Sequence, residues 1–339
     1  MSVALGELTR GGELESAHYG NAVFMDSEGR VLAKAGDEAK RTYWRSSAKP
    51  IQAFLPIITG AVDRFGITER ELAVICSSHF GEDMHVEAVR SMLAKAGIPE
   101  SAISTGTHLP FDKASAEALI RASKKPTPLH HNCSGKHTGM LITCKQMGWP
   151  MEDYHLPDHP VQVAAHELVS ELSGIPKAEI PIGVEGCSVS SFYLPLWAMG
   201  YIYAKLSDPG TLPEKYRMAA ARVTAAMMAN PEMVAGTYGF ASILMKAHKG
   251  RIFAKNGAEG VFCLGLSGKG IGFAMKIDDG SDRAYHTAVT SALQQYGVMP
   301  DEGIEMNPVK PVKNNKGNLV GEIRPGFTLQ PVAERLVHR

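Results

Sequence analysis

The sequence predicts an α/β (α+β) protein: an antiparallel sheet assembled from both ends of the chain, flanked by helices, with a helical lobe inserted between the strands. Three observations lead there. Strand-like runs lie near both termini, helix-period patterns fill the middle, and the two kinds do not alternate as a parallel βαβα fold requires. No Pro/Gly/Ser-rich linker marks a boundary, so residues 1–339 read as one domain with two lobes.

The elements follow in order. Residues 21–37 read as a hairpin whose two apolar runs flank the turn Asp26-Ser27-Glu28-Gly29. Apolar residues at helical spacing then predict helices over Glu82 to Ala96, Lys113 to Lys124, His137 to Met147, Val161 to Leu172 and Glu214 to Ala229. Residues 251–257, 259–266 and 270–278 read as three strands joined by turns. A helix over Arg283 to Tyr296 and a strand over Leu319 to Ile323 complete the pattern. The Met-rich run from Met218 to Met233 suits a core or an interface.

Composition narrows the function. Hydrophobic residues make up 44% and charged residues 21%, proportions that exclude disordered, collagen-like and coiled-coil chains. Lys plus Arg and Asp plus Glu are both 35. That balance removes the usual electrostatic attraction to nucleic acid or an anionic membrane. The N-terminal residues show no signal-peptide pattern, and no run of about 18 apolar residues occurs. Five widely spaced cysteines argue against a disulfide framework, and a reducing cytoplasm is expected.

Three groups of residues carry possible chemistry. In Arg45-Ser46-Ser47-Ala48-Lys49-Pro50, a Ser-x-x-Lys precedes the apolar stretch Ile51 to Ile58. Pro50 fits a helix only in its first turn, so Ser46 falls near the helix start and Lys49 one turn on, on the same side. A serine is a weak nucleophile until a base takes its proton, and a lysine with a lowered pKa can do so. Free N–H groups at the helix start suit an oxyanion. A plain N-cap serine beside a solvated lysine is the structural alternative.

The second group is Ser77-Ser78 after the apolar run Leu72–Cys76, with Lys255-Asn256-Gly257 between two strand-like runs. Ser-x-x-Lys, a second serine and a strand-borne Lys-x-Gly, in that chain order, resemble the penicilloyl-serine enzymes. Their middle element is Ser-x-Asn, where this chain has Ser78-His79-Phe80.

The third group is His130-His131-Asn132-Cys133-Ser134-Gly135-Lys136-His137, with Cys187 in the Gly-flanked segment 183–188. A cysteine at a helix start has a lowered pKa, and two thiolates with a nitrogen donor suit zinc. Unrelated buried thiols are the alternative, since the spacing is not that of a zinc finger.

Together these segments, with Glu185-Gly186-Cys187 and Lys255–Gly260, resemble the rhizobial-type L-asparaginase family, the third structural class of asparaginases, from about Thr9 to Val337. The resemblance implies a fold similar to serine β-lactamases, penicillin-binding proteins and glutaminases. It also implies a homodimer and hydrolysis of L-asparagine to L-aspartate and ammonia. Carried onto this sequence, the family's Ser–Lys pairs fall on Ser46 with Lys49 and on Ser78 with Lys255. Its zinc ligands fall on Cys133, Lys136 and Cys187, and its pocket positions on Arg45, His137 and Glu185. On this reading Ser46 is acylated with Lys49 as base, Ser78 relays a proton to the leaving nitrogen, and zinc orients the substrate. The competing expectations are another serine hydrolase of the same fold (glutaminase, peptidase or β-lactamase), a zinc-hydroxide amidohydrolase, and a non-enzymatic zinc or redox sensor built on Cys133 and Cys187.

Overall fold

The computed structural model describes residues 1–336. The sheet begins with β1 (Val3–Arg10) and β2 (Glu13–Asp26), reversed at Gly11-Gly12, where both residues take positive φ. β3 (Arg30–Ala35) returns along β2 and forms the expected hairpin. Two short strands, β4 (Arg41–Tyr43) and β5 (Ile182–Val184), flank β6 (Ser190–Pro195) in a small second sheet.

The expected three-strand meander is β7 (Ile252–Asn256), β8 (Val261–Leu266) and β9 (Ile271–Ile277), and β9 pairs with β2. β10 (Lys310–Lys313) and β11 (Leu319–Arg324) extend the other side through β1, while β12 (Gln330–Leu336) pairs with β3. All pairings in this nine-stranded sheet are antiparallel, and both chain ends contribute, as the sequence predicts.

The sequence reading omits β1 and the helix Leu196–Ser207. That helix lies across the sheet at a point where only glycine fits. A Cβ on Gly272 of β9 would stand 2.1 Å from the Gly200 carbonyl oxygen.

The inserted lobe is helical. Its central helix, Ser134–Met147, is buried along every residue from Ser134 to Cys144, so it has no polar face to the solvent there. It packs on the helix Glu69–Ile75 through two glycines one turn apart. A Cβ on Gly135 would sit 2.1 Å from the Val74 carbonyl, and one on Gly139 would sit 2.7 Å from the Ile75 side chain. This approach brings the start of one helix, carrying Cys133 and Lys136, against the end of the other, which leads into Ser77 and Ser78. Gly135→Ala is therefore expected to cost about 1–3 kcal/mol of stability through overpacking, read as a lower denaturation midpoint in urea.

Candidate active site

Ser46 lies in a 3₁₀ turn, Arg45–Ala48, which runs directly into the helix Lys49–Gln52, with Pro50 in its first turn as expected. Arg45 opens this turn at φ +53, a left-handed conformation that a side-chain-bearing residue holds only under outside constraint. The constraints are visible on both sides. Trp44 donates its N–H to the Phe192 carbonyl, and Arg45 Nε reaches both Glu185 carboxylate oxygens at 3.0 Å. Ser47 Oγ donates to the Lys255 carbonyl at 2.9 Å, and Tyr203 Oη donates to the Ser47 carbonyl at 2.8 Å. The turn is thereby stitched to β7, which carries Lys255.

The two lysines converge on one hydroxyl. Lys49 Nζ donates to the Ser77 carbonyl at 2.5 Å and lies 2.9 Å from Ser78 Oγ. Lys255 Nζ also lies 2.9 Å from Ser78 Oγ, and donates to the Asn256 carbonyl at 2.6 Å and to Asn256 Oδ1 at 3.2 Å. Both lysines are fully buried. Burial lowers the pKa of each; the positive charge of Lys49 lowers Lys255 further, whereas the Cys133 thiol works to raise Lys49. Lys255 is depressed well below the ordinary lysine range, first by burial and then by the charge of Lys49, which favours its neutral amine.

Ser46 has no hydrogen bond to Lys49. Its side chain lines a cavity of about 340 Å³ together with Ser78, Asn132, Asn256, Phe80 and Phe111. The predicted pair Ser78–Lys255 therefore meets directly, whereas Lys49 reaches Ser78 instead of its sequence neighbour Ser46. Asn256 and Ser47, which hold Lys255 and the Ser46 turn, carry no separate sequence signal, although each adjoins a residue that does.

His79 fixes the Ser77–Ser78 segment. It accepts the Gly81 N–H on Nδ1 at 3.1 Å, which leaves the proton on Nε2 to be donated to Ser134 Oγ at 2.7 Å. Burial, followed by the nearby imidazole of His85, holds its pKa well below the usual histidine value, so this strut is uncharged.

Behind Lys49, the three other predicted residues gather as well. Lys136 Nζ donates to Cys187 Sγ at 3.0 Å, and Cys133 is hydrogen-bonded by the Cys187 thiol. That bond, against the opposing effect of burial and with help from Lys49 and Lys136, holds the Cys133 thiol well below its ordinary pKa. The same bond pushes Cys187 up. Burial disfavours the Lys136 ammonium, but the two thiols outweigh it and raise its pKa. All five cysteines are free and buried.

As a metal site this donor set is two thiols and an amine. Among the described residues, no three His, Cys, Asp or Glu side chains gather as a cage, so a soft cation here would depend on Lys136 giving up its proton. His137 is buried beside the trio. Tyr154 Oη accepts the Ser104 N–H at 3.0 Å and sends its own O–H to His137 Nδ1 at 2.5 Å, while His137 Nε2 has no partner among the described residues.

A family model described as L-asparaginase II matches residues 7–325. The chain belongs to the L-asparaginase II family. Membership makes it a hydrolase of the amidohydrolase kind, acting on a small-molecule substrate. No curated protein matches. Among solved structures, this L-asparaginase II family chain is similar to a putative β-lactamase from Bacteroides dorei at 12% identity. That match covers 81% of this chain and 93% of the other, with a TM-score of 0.45. It is also similar to a β-lactamase from Mycobacterium bovis at 15% identity, covering 82% and 94% with a TM-score of 0.43, and to Mglu at 14% identity, covering 85% and 69% with a TM-score of 0.39. No helix among the described residues is long and apolar enough to cross a membrane.

Proposed function

We propose that the protein is an L-asparaginase that hydrolyses L-asparagine to L-aspartate and ammonia through a serine acyl-enzyme, working as a cytoplasmic homodimer. The observation that carries the reading is the Ser78 hydroxyl held between two buried lysines, each with its Nζ 2.9 Å away, in a cavity also lined by Ser46.

Ser46 is the acylated residue. It lines the cavity, its hydroxyl has no hydrogen bond among the described residues, and it lies in the first turn of a 3₁₀ helix, where opening N–H groups have no intrahelical partner and suit an oxyanion. Ser78 relays. Its oxygen lies 2.9 Å from both lysine nitrogens, and with Lys255 as the neutral amine Ser78 takes the Ser46 proton as it hands its own to Lys255. The reverse path protonates the leaving nitrogen and ammonia departs. Water then attacks the aspartyl ester over the same relay. Ser46 and Lys49 thus cooperate through Ser78, a departure from the direct base that their helical spacing suggests.

A second reading has Ser78 itself acylated, favoured by its two lysine contacts. Ammonia release from asparagine, measured against glutamine and against hydrolysis of a chromogenic cephalosporin, tests the substrate. Turnover of glutamine or the cephalosporin in preference to asparagine would transfer the site to another hydrolase class.

Cys133, Lys136 and Cys187 would hold zinc once Lys136 gives up its proton, since two thiols and a free amine are donors that zinc takes. When bound, it would supply a fixed positive charge beside Arg45 and Glu185, the residues that would orient the amino-acid end of the substrate. Cys187→Ser is expected to abolish stoichiometric zinc in elemental analysis while leaving the acylation step; equal zinc in both proteins would contradict the ligand set.

A further inference from the structure

Asparagine uses little of the cavity in which its amide is cleaved. Beyond its α-carbon it has one methylene and a primary carboxamide, and the leaving nitrogen carries only hydrogen. Yet the cavity measures about 340 Å³ and one wall is aromatic. Phe80 and Phe111 stand edge-on with centroids 6.2 Å apart, and His108 stacks on Phe111 at 4.7 Å. Phe111 is 57% exposed, an unusual outlay of ring surface beside two serines.

The wall is built in place. Asp112 donates its N–H to the Phe80 carbonyl at 2.9 Å. Gly236, at φ +76, comes so close that a Cβ would stand 2.5 Å from the Phe80 ring. The carboxylates of Glu259 and Asp282 belong to the same cavity, while Arg45, Glu185 and the thiol trio are not among its walls. If the amino-acid end of the substrate takes the Arg45 side, the aromatic side receives what is attached to the amide nitrogen.

We infer that Phe80 and Phe111 form a leaving-group subsite, and that the enzyme hydrolyses N4-arylalkyl-L-asparagines, secondary amides whose amine carries a neutral or cationic aromatic group. The inference rests on the asparaginase reading above. In the step, Ser46 Oγ bonds to the side-chain carbonyl carbon, the C–N bond breaks, and the amine departs with the proton relayed by Ser78. Water then cleaves the ester to L-aspartate and regenerates Ser46.

The test compares L-asparagine, N4-benzyl-L-asparagine and N4-(4-carboxybenzyl)-L-asparagine on the full-length enzyme, following aspartate. The benzyl amide is expected to be cleaved, and the carboxybenzyl amide to be slower because Glu259 and Asp282 repel its charge. Phe111→Ala is expected to lower kcat/KM for the benzyl amide by about tenfold more than that for asparagine, and Phe111→Tyr to restore it. An enzyme that cleaves asparagine but not the benzyl amide would overturn the subsite, as would a Phe111→Ala loss shared equally by both substrates. Failure on asparagine itself would overturn the asparaginase reading and this inference with it.

Discussion

Ser46→Ala is expected to lower kcat for ammonia release from asparagine by about 10⁴-fold or more while the protein stays folded. The size follows from the role. Removing the atom that forms the covalent bond leaves only binding and electrostatic contributions. The fold should survive, because the Ser46 hydroxyl makes no hydrogen bond among the described residues and the turn is held instead by Ser47, Tyr203 and the Arg45–Glu185 pair. Steady-state ammonia release with a denaturation midpoint measured in parallel checks both halves. A variant that kept most of its turnover would move the nucleophile to Ser78.

Lys255→Met is expected to lower kcat by about 10²–10⁴-fold, the usual contribution of a positioned base. Methionine keeps an apolar stem in a fully buried position but cannot accept the Ser78 proton. The pH profile separates this role from a structural one. Burial, reinforced by Lys49, favours the neutral amine, so the folded pKa lies below the ordinary lysine value of about 10.4. Activity should rise with pH through that depressed value and fall as the amine gains its proton below it. Stability has the same sign. In the window between the depressed folded pKa and the unfolded one, the unfolded chain binds more protons, so this group's contribution declines as pH falls. Lys255→Met should lose the ascending limb; a variant that retained it would assign the limb to another group.

Much of this arrangement is legible in the sequence, and the gaps have physical causes. The meander β7–β9 is readable because short β-rich runs end at glycines, and Glu214–Ala229 because its apolar period is regular. The helix Leu196–Ser207 escapes detection because it is apolar nearly all round, which erases the periodicity that marks an amphipathic helix. β1 escapes because its pairing with β2 and β11 is long-range, fixed by neighbours and not by its own pattern.

At the site, helical spacing correctly predicts that Ser46 and Lys49 begin one helical segment. It does not reveal where a flexible four-carbon side chain ends. The Ser77 carbonyl and Ser78 hydroxyl determine that, and they come from a different part of the chain. Cys133, Lys136 and Cys187 meet as the family resemblance implies, whereas residue physics alone leaves the neighbouring histidines equally eligible. The aromatic wall at Phe80 and Phe111 has no sequence signal, since isolated phenylalanines ordinarily read as core.

The central step of the proposed reaction is a covalent aspartyl ester at Ser46, formed through Ser78 and Lys255. Intact-mass spectrometry with a slowly deacylating asparagine analogue, followed by peptide mapping, reads this directly. The predicted result is one acyl group per chain, on the peptide containing Ser46 and absent from Ser46→Ala. An acyl group on the peptide containing Ser78, or steady turnover with no adduct at any time point, would contradict it.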